Sequence, residues 1–299
     1  MSVDRPPQRC PACGVSPRPS FQLAGGATLL RCPRCLLGWW NWPAFDPQSF
    51  YDRQYFQSAD VSRGYDDYTS LQAGLARTAR GRLRRISRLL PPTAETRGSP
   101  GRLLDLGCAA GYFLDEARRA GWQVRGVELS PYAAQRARER GLDVTQAPLE
   151  QFPLPTASFD CVTLWDVLEH VRDPAGVLAG AARAVRPGGV LALSTGDVTS
   201  LCARLSGRHW HLFTLPEHLY FFSPQALRRL LERVGCRIQR VTREVQWVPL
   251  AYVLERLRKP LTALERSRRT VSRPSWVVPA TLFDVLGVYA IRAGGQRTV

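Results

Sequence analysis

Lysine is almost missing from this chain. Of its 41 basic residues only Lys259 is lysine, so the formal net charge of +16 is carried by arginine. Such a skew follows from codon bias as readily as from selection for phosphate contacts. Basic charge favours acidic partners, nucleic acid or an anionic membrane surface by long-range attraction. An arginine-rich surface alone is unspecific, which makes a dedicated nucleic-acid role the weaker reading. Long hydrophobic runs are missing too. The N-terminus, Met-Ser-Val-Asp-Arg-Pro-Pro, has no apolar core of a secretory signal. The longest apolar stretch, 276–291, is broken by Pro279 and Asp284 and falls short of a membrane span. There are no internal repeats. The expectation is a soluble cytoplasmic protein, globular at 44% hydrophobic and 22% charged residues.

Cysteine is present in two different settings. Cys10 and Cys13 form one C-x2-C pair, Cys32 and Cys35 a second, with 18 residues between the pairs. A two-residue spacing lets both thiolates of a knuckle point at one ion, and two knuckles complete a tetrahedron. All four ligands are sulfur, which leaves no open position and predicts a structural zinc site; redox disulfides or unbound thiols are the alternative, disfavoured in a cytosolic chain. Cys108, Cys161, Cys202 and Cys236 are scattered among apolar or glycine-rich neighbours and read as small buried hydrophobes.

The pattern divides the chain into a cysteine module over 1–45, an aromatic linker and helix over 46–100, and a larger domain over 101–299. Within the module a hairpin is expected over 21–31, turning at Gly25-Gly26. The linker carries Tyr51, Tyr55, Phe56, Tyr65 and Tyr68. A helix over about 70–90 follows, with Leu71, Leu75, Leu83, Ile86 and Leu90 broadly at helical spacing, and Pro91-Pro92 stops it. From 102 onward strand and helix alternate. Strands are expected at 103–106, 123–128, 142–145, 159–165 and 190–194, and helices at 111–120, 131–140 and 174–185. Pro187-Gly188-Gly189 turns into the last of these strands. Such alternation implies βαβ units and a parallel sheet covered by helices. An aromatic, histidine-rich connection spans 195–222. A helix then begins at Ser223-Pro224, followed by strands at 236–245 and 283–292.

Between the first strand and its helix lies Leu103-Leu-Asp105-Leu-Gly107-Cys108-Ala109-Ala-Gly111. Glycines let the backbone turn tightly and approach a ligand, and open α/β sheets bind ligands at the carboxyl ends of their strands. The loop is not the dinucleotide fingerprint G-x-G-x-x-G. A carboxylate just ahead of the first glycine would also repel a pyrophosphate; it suits a cofactor with a cationic end and no phosphates. Glu128 ends the next strand, where a carboxylate can accept both hydroxyls of a ribose.

These residues carry a resemblance. Leu104-Asp105-Leu-Gly107-Cys108-Ala109-Ala-Gly111-Tyr-Phe, Val127-Glu128-Leu129-Ser-Pro, Ser158-Phe-Asp160, Trp165-Asp166-Val-Leu-Glu169-His170-Val-Arg-Asp-Pro174 and Arg186-Pro-Gly-Gly189 resemble class I S-adenosylmethionine-dependent methyltransferases, within the group related to ubiquinone-biosynthesis enzymes. The resemblance implies a Rossmann-like seven-stranded α/β sheet with helices on both faces and an antiparallel last strand. It implies that Asp105 and the Gly107–Gly111 loop, Cys108 and Ala109 included, hold the methionine portion of S-adenosylmethionine, and Glu128 the ribose. Leu129 would lie beside the adenine, Leu149 and Glu150 at its edge, and Trp165 and Asp166 along the cofactor and substrate pocket. The sequence departs from the family at Ala109, often glycine, and at Pro148-Leu149, often Asp-Ala. The cysteine pairs resemble the zinc-ribbon-like N-terminus of many bacterial relatives, with Leu36 where those often have glycine.

All four histidines, His170, His209, His211 and His218, follow the fourth strand, where this class builds its acceptor pocket. Methyl transfer needs chiefly alignment, and an oxygen nucleophile also needs a base, for which histidine is suited. His218, in Pro216-Glu-His-Leu-Tyr220, is the first choice and His170 the second; for each, a hydrogen-bonded structural role is the alternative. Residues 247–281 form a basic insertion, read as a solvated charged face or as an interfacial helix on anionic lipid at the inner membrane face. The leading function is methylation of a small-molecule, saccharide or lipid-linked hydroxyl. An RNA or protein methyltransferase and a non-catalytic zinc-binding adaptor are the alternatives.

Overall fold

Knuckle, hairpin and strand follow one another at the start of the computed structural model, which describes residues 6–23, 26–41, 50–51, 72–90, 100–249 and 277–294. Strands β1 (Arg18–Gln22), β2 (Thr28–Arg31) and β3 (Gly38–Trp40) pair antiparallel, with Gln22 opposite Thr28 and Leu29 opposite Trp40. The expected hairpin is there and begins three residues earlier than 21. Gly25 of its turn, the linker residues Tyr55, Phe56, Tyr65 and Tyr68, Leu71, the Pro91-Pro92 stop and residues 250–276 of the basic insertion lie outside the described residues.

Helix α1 (Gln72–Ser87) buries Ala79, Leu83 and Ile86, and also Arg82, a charge the apolar spacing does not reveal. The alternation then unfolds as read: β4 (Arg102–Leu106), α2 (Tyr112–Arg119), β5 (Gln123–Glu128), α3 (Pro131–Glu139), β6 (Val144–Gln146), β7 (Phe159–Trp165), α4 (Pro174–Ala184) and β8 (Val185–Gly196). Proline at the first turn and a side-chain cap start two of these helices. Ser130 Oγ accepts from Ala133 N, and Asp173 Oδ1 from Gly176 N.

After β8 come α5 (Leu201–Ser206), a single 3-10 turn (Gly207–His209), β9 (Tyr220–Phe221), α6 (Pro224–Arg233), β10 (Cys236–Arg243), β11 (Gln246–Pro249), β12 (Val277–Ala280) and β13 (Val285–Arg292). The large sheet runs β10-β13-β8-β7-β4-β5-β6. β13 lies antiparallel to both its neighbours, while β8, β7, β4, β5 and β6 are mutually parallel. This is the seven-stranded sheet with a reversed last strand that the resemblance implies. Its central strands β4, β7 and β8 are buried on both faces, with successive side chains pointing to opposite sides of the sheet. Leu104, Leu106, Val162, Leu164, Leu191 and Leu193 face α4, α6 and the cysteine module. Leu103, Cys161, Val190 and Ala192 face α1, α2 and α3.

Three regions differ from the reading of the sequence. β8 starts at Val185, not at 190: its register to β7 jumps between Phe159–Val185 and Cys161–Val190. Arg186–Gly189 is thus a bulge inside a strand. Gly188 at φ +78° lets the chain step out, and Gly189 lets it return where a Cβ would sit 2.7 Å from the Asp160 carbonyl oxygen. The histidine-rich connection contains a helix and a strand. α5 turns Leu201 and Leu205 outward, 71% and 80% exposed, so no buried stripe marks it, and a two-residue β9 has no period to detect. Finally, both ends of the basic insertion are strands, β11 and β12, paired antiparallel with Trp247 opposite Pro279.

The cysteine module is continuous with the rest of the protein. β9 adds to β3, with Gly38 opposite Phe221 and Trp39 opposite Tyr220. The Ser223 hydroxyl donates to the Cys35 carbonyl at 2.5 Å and Arg233 donates to the Pro11 carbonyl at 2.7 Å. Trp39 is fully buried at this seam, an anchor whose burial is worth about 2–3 kcal/mol.

Candidate functional site

The carboxyl ends of β4, β5 and β7 bring the predicted residues together. After β4 the chain turns through Gly107 (φ +74°), Ala109 (φ +47°) and Gly111 (φ +79°), the last capping α2. A Cβ on Gly107 would meet Val167 at 2.5 Å, and one on Gly111 would meet Leu142 at 2.4 Å, so neither position accepts another residue without rearrangement. Ala109 occupies the left-handed region itself, which explains why relatives favour glycine there. The amides of Gly107 and Cys108 both donate to the Val127 carbonyl, at 2.8 and 3.1 Å, and lash the loop to β5. The Cys108 side chain points into the core.

Two carboxylates frame this loop. Asp105 is buried, and its Oδ1 accepts from the Thr163 hydroxyl at 2.6 Å. Burial pushes its carboxyl up to about 7, against the opposing pull of Thr163 and of Arg82. Glu128 is equally buried. Its Oε2 accepts from Ala109 N and its Oε1 from Ser130 N, both at 2.8 Å. Burial raises its carboxyl too, countered by those amides. Each Glu128 oxygen keeps a further lone pair for a hydroxyl. Two buried carboxylates beside an open-backboned turn, with phosphate-repelling charge, suit a ligand bearing a cationic amino acid end and a ribose.

The other expected contacts are spread around this centre. Leu129 and Leu149 are half-buried, Leu149 packed against the larger core cluster. The Glu150 carboxylate accepts from the Arg172 amide at 3.1 Å. The Trp165 ring wedges against Phe113, 5.3 Å between centroids, with the Arg82 guanidinium 4.2 Å above it. Its indole N–H is buried and has no partner among the described residues. Asp166 sits at φ +55°, held by Ser194, whose hydroxyl donates to Asp166 Oδ1 at 2.9 Å. Arg82 reaches Asp166 at 3.7 Å and Glu244 at 3.0 Å. Neither Arg82, Glu244, Thr163 nor Ser194 was singled out by sequence; a lone arginine among many on a helix gives no signal of burial.

Past β7, His170 and His218 meet edge to face, 4.6 Å between ring centroids. Their Nδ1 atoms are engaged: His170 with the Glu217 carbonyl at 3.0 Å and the Tyr51 hydroxyl at 2.8 Å, His218 with the Leu212 carbonyl at 2.8 Å. A carbonyl accepts only, so each Nδ1 carries the proton and each Nε2 presents a lone pair. Burial lowers His170 to about 4; burial, then the neighbouring imidazole, lowers His218 to about 3. Both rings are neutral at pH 7. Glu169, with a ligating atom within 4.8 Å of both, is pushed up to about 8 by burial and then by Asp166. His209 and His211 do not join this pair. His209 is exposed beside Arg208, and His211 turns to Asp284.

At the other end of the chain the four paired cysteines converge. Cys10 and Cys35, and Cys13 and Cys32, place their sulfurs 3.4 Å apart; Cys13 and Cys35 are 3.8 Å apart. A tetrahedron with metal–sulfur bonds of about 2.3 Å has edges of about 3.8 Å, so the cluster fits zinc closely. The knuckles repeat one geometry: Gly14 N donates to the Cys10 carbonyl at 2.8 Å, and Leu36 N to the Cys32 carbonyl at 3.0 Å. Leu36 adopts φ +62°, the counterpart of Gly14 at φ +72°, and so takes the conformation of the glycine it replaces. Of the four scattered cysteines, Cys108, Cys161 and Cys236 are buried as expected, but Cys202 is half-exposed and faces polar groups.

Comparison with known proteins accords with this geometry. The family described as a methyltransferase domain matches residues 76–241, more than half of the chain. A ubiquinone biosynthesis O-methyltransferase of Xanthomonas oryzae pv. oryzae is 32% identical over 47% of this chain and 64% of its own length. One of Aromatoleum aromaticum is 35% identical over 45% of this chain and 63% of its own. The chain thus spans just under two thirds of these relatives. The magnesium protoporphyrin IX methyltransferase of Synechocystis PCC 6803, solved with bound SAH, shares the fold at a TM-score of 0.51 and 16% identity, over 81% of this chain and 92% of that one.

Proposed function

We propose, from the premise that this chain belongs to the methyltransferase-domain family, that it is an S-adenosylmethionine-dependent enzyme methylating a hydroxyl of a small molecule, or of a saccharide or lipid-linked precursor. The observation that carries the reading is the pairing of the Asp105–Gly111 turn with Glu128 on one side and two neutral, Nε2-presenting imidazoles on the other. The cofactor, when bound, supplies a methyl group already activated on a sulfonium. What the chain must add is position and charge.

In this reading Asp105 and the loop through Gly107, Cys108, Ala109 and Gly111 take the cationic methionine end, and Glu128 takes the ribose hydroxyls. Leu129, Leu149 and Glu150 border the adenine, and Trp165 and Asp166 the boundary with the acceptor. The protein environment holds His218 and His170 unprotonated, so either Nε2 can accept a hydroxyl proton as the oxygen attacks. Their low proton affinity suits a hydrogen-bonding, aligning role better than full deprotonation of an alcohol, and fits an acidic hydroxyl such as a phenol. The curated relatives named as O-methyltransferases support oxygen as the atom methylated.

The four-cysteine module is read as a structural zinc site over residues 1–45 that walls the acceptor side. Trp40 Nε1 donates to the His218 carbonyl at 2.9 Å, linking module to imidazole. Titration calorimetry with S-adenosylhomocysteine, then transfer of labelled methyl to fractionated acceptor pools, tests the proposal. Label in the small-molecule or lipid fraction supports it. Label confined to RNA or protein, or no affinity for the homocysteine product, overturns it.

A further inference from the structure

Away from the cofactor loop, three segments far apart in sequence converge on one point. Cys202 on α5, His211 just past the 3-10 turn and Asp284 just before β13 each place a ligating atom within 4.8 Å of the other two. His211 Nε2 lies 2.7 Å from Asp284 Oδ2, and Trp210 Nε1 donates to the same oxygen at 2.8 Å. We propose that Cys202, His211 and Asp284 form a second metal site, separate from the four cysteines, that takes a zinc-class divalent cation and leaves one coordination position open.

The donor set argues for that class of ion. One thiolate, one imidazole and one carboxylate suit a borderline cation; magnesium and calcium prefer oxygen alone. Three protein ligands with an open fourth position is the arrangement of non-structural zinc sites. Here the open side is toward solvent, since the His211 side chain is 38% exposed while Asp284 is buried. Zinc bonds of about 2.0–2.3 Å set donor separations of about 3.3–3.7 Å. The three side chains therefore need to shift by an ångström or so, not to be rebuilt.

The surroundings look constructed for the purpose. Trp210 Nε1 is the outer-sphere donor that a ligating carboxylate usually keeps. The Asp284 carbonyl accepts from Asp197 N at 2.7 Å, fixing the backbone behind it. Phe283, the residue before, adopts φ +56° with its ring 64% exposed. A non-glycine residue in that region costs about 1–2 kcal/mol. The strain turns the apolar ring outward and the neighbouring carboxylate inward. Asp284 is a buried carboxylate that lacks an arginine or lysine ion pair among the described residues. The site also reaches the acceptor wall, because the residue after His211, Leu212, offers the carbonyl that orients His218.

The test uses the full-length protein. Metal content is measured by atomic emission after equilibration with zinc and gel filtration, for the parent, His211→Ala, Cys202→Ser and a Cys10→Ser/Cys13→Ser double variant. The proposal expects His211→Ala and Cys202→Ser each to hold one equivalent less than the parent, and the double variant to keep that equivalent. Cobalt bound to the double variant should show thiolate charge-transfer absorption that Cys202→Ser in the same background abolishes. Trp210→Phe should weaken the site by about 10- to 100-fold. Equal metal content in the parent and in folded His211→Ala overturns the proposal. His211 is exposed, so that variant is expected to fold, and circular dichroism checks it.

Discussion

Replacing Glu128 with glutamine separates ligand binding from folding more cleanly than any other substitution in the site. The carboxylate oxygens each accept one backbone amide at 2.8 Å, from Ala109 and Ser130. Glutamine keeps one acceptor oxygen and turns an NH2 toward the other amide. Of two charge-assisted bonds to ribose hydroxyls, one is lost and one becomes neutral. At about 1.5–3 kcal/mol for a charged bond and about 1 for a neutral one, the loss is about 2–5 kcal/mol, or roughly 30- to 5000-fold in Kd. Stability should move differently. Burial raises the Glu128 carboxyl above its unfolded value. Such a group subtracts stability as pH climbs through the ordinary carboxylate range, and the whole penalty is present above the folded pKa. Removing the charge lifts that penalty and offsets the backbone bond given up, about 1–3 kcal/mol. Titration calorimetry with S-adenosylhomocysteine should therefore show a Kd at least thirtyfold weaker, while the apo-protein Tm at pH 7.5 shifts by only a few degrees. A Kd within threefold of the parent refutes the ribose role. A binding loss matched by an equally large fall in Tm refutes the separation and makes Glu128 a folding residue.

Asp105 should release a proton on ligand binding. Burial raises its carboxyl to about 7, so an ammonium placed beside it displaces up to about half a proton at pH 7. Calorimetry in two buffers of different ionisation enthalpy measures this, and Asp105→Asn should abolish the difference. Arg82→Met takes from the buried Glu244 the nearer of its two arginines, leaving Arg85 at 3.4 Å, and removes the cation near Asp166; a cost of about 3 kcal/mol, the low end for a broken buried pair, and several degrees in Tm is expected. Adding Glu244→Gln should restore most of it, and no restoration would mean that packing against Trp165 is the larger role. Leu36→Gly should stabilise the chain by about 0.5–1 kcal/mol in denaturant melts, since relief of φ +62° outweighs the added freedom of the unfolded glycine.

Sequence reasoning reaches furthest where spacing is itself the physics. The C-x2-C pairs are close enough that local knuckle geometry aims the thiols, and all four sulfurs meet. The alternation of strand and helix places 123–128 and 159–165 as strands with their ends where the structure has them. It fails where a feature depends on partners remote in sequence. β9 is two residues long and exists because β3 is beside it. Arg82 is buried because Glu244, 162 residues away, is there to meet it. Asp284 reads only as an interruption of an apolar run, and its meeting with Cys202 and His211 depends on β13 entering the sheet between β10 and β8. The histidines are a mixed case. The sequence reading already prefers His218 and His170 among the four, and these two meet, but the direction in which each ring presents its nitrogens is decided by the carbonyls of Leu212 and Glu217.

The seam between the cysteine module and the sheet bears on why a methyltransferase-family chain would carry such a module at all. His218 is gripped from two directions: its ring by the Leu212 carbonyl and its backbone by Trp40 Nε1. Trp40 ends β3, whose neighbour Trp39 pairs with Tyr220, two residues beyond the histidine. Around it Leu219, Tyr220, Phe221 and Phe222 are all buried. Without the module Tyr220 and Phe221 would lose their strand partners Trp39 and Gly38, and His218 would keep its ring contact and its own amide bond to the Thr214 carbonyl but lose the Trp40 bond. A module this small has too little core to hold itself rigid, and in the proposed reading a tetrahedral metal clamp would give it that rigidity at little cost in chain length. In the proposed reading an ion bound at the N-terminus would do no chemistry. It would stiffen the surface against which the proposed acceptor wall is folded, so the placing of the imidazole pair would depend on four cysteines at the opposite end of the sequence.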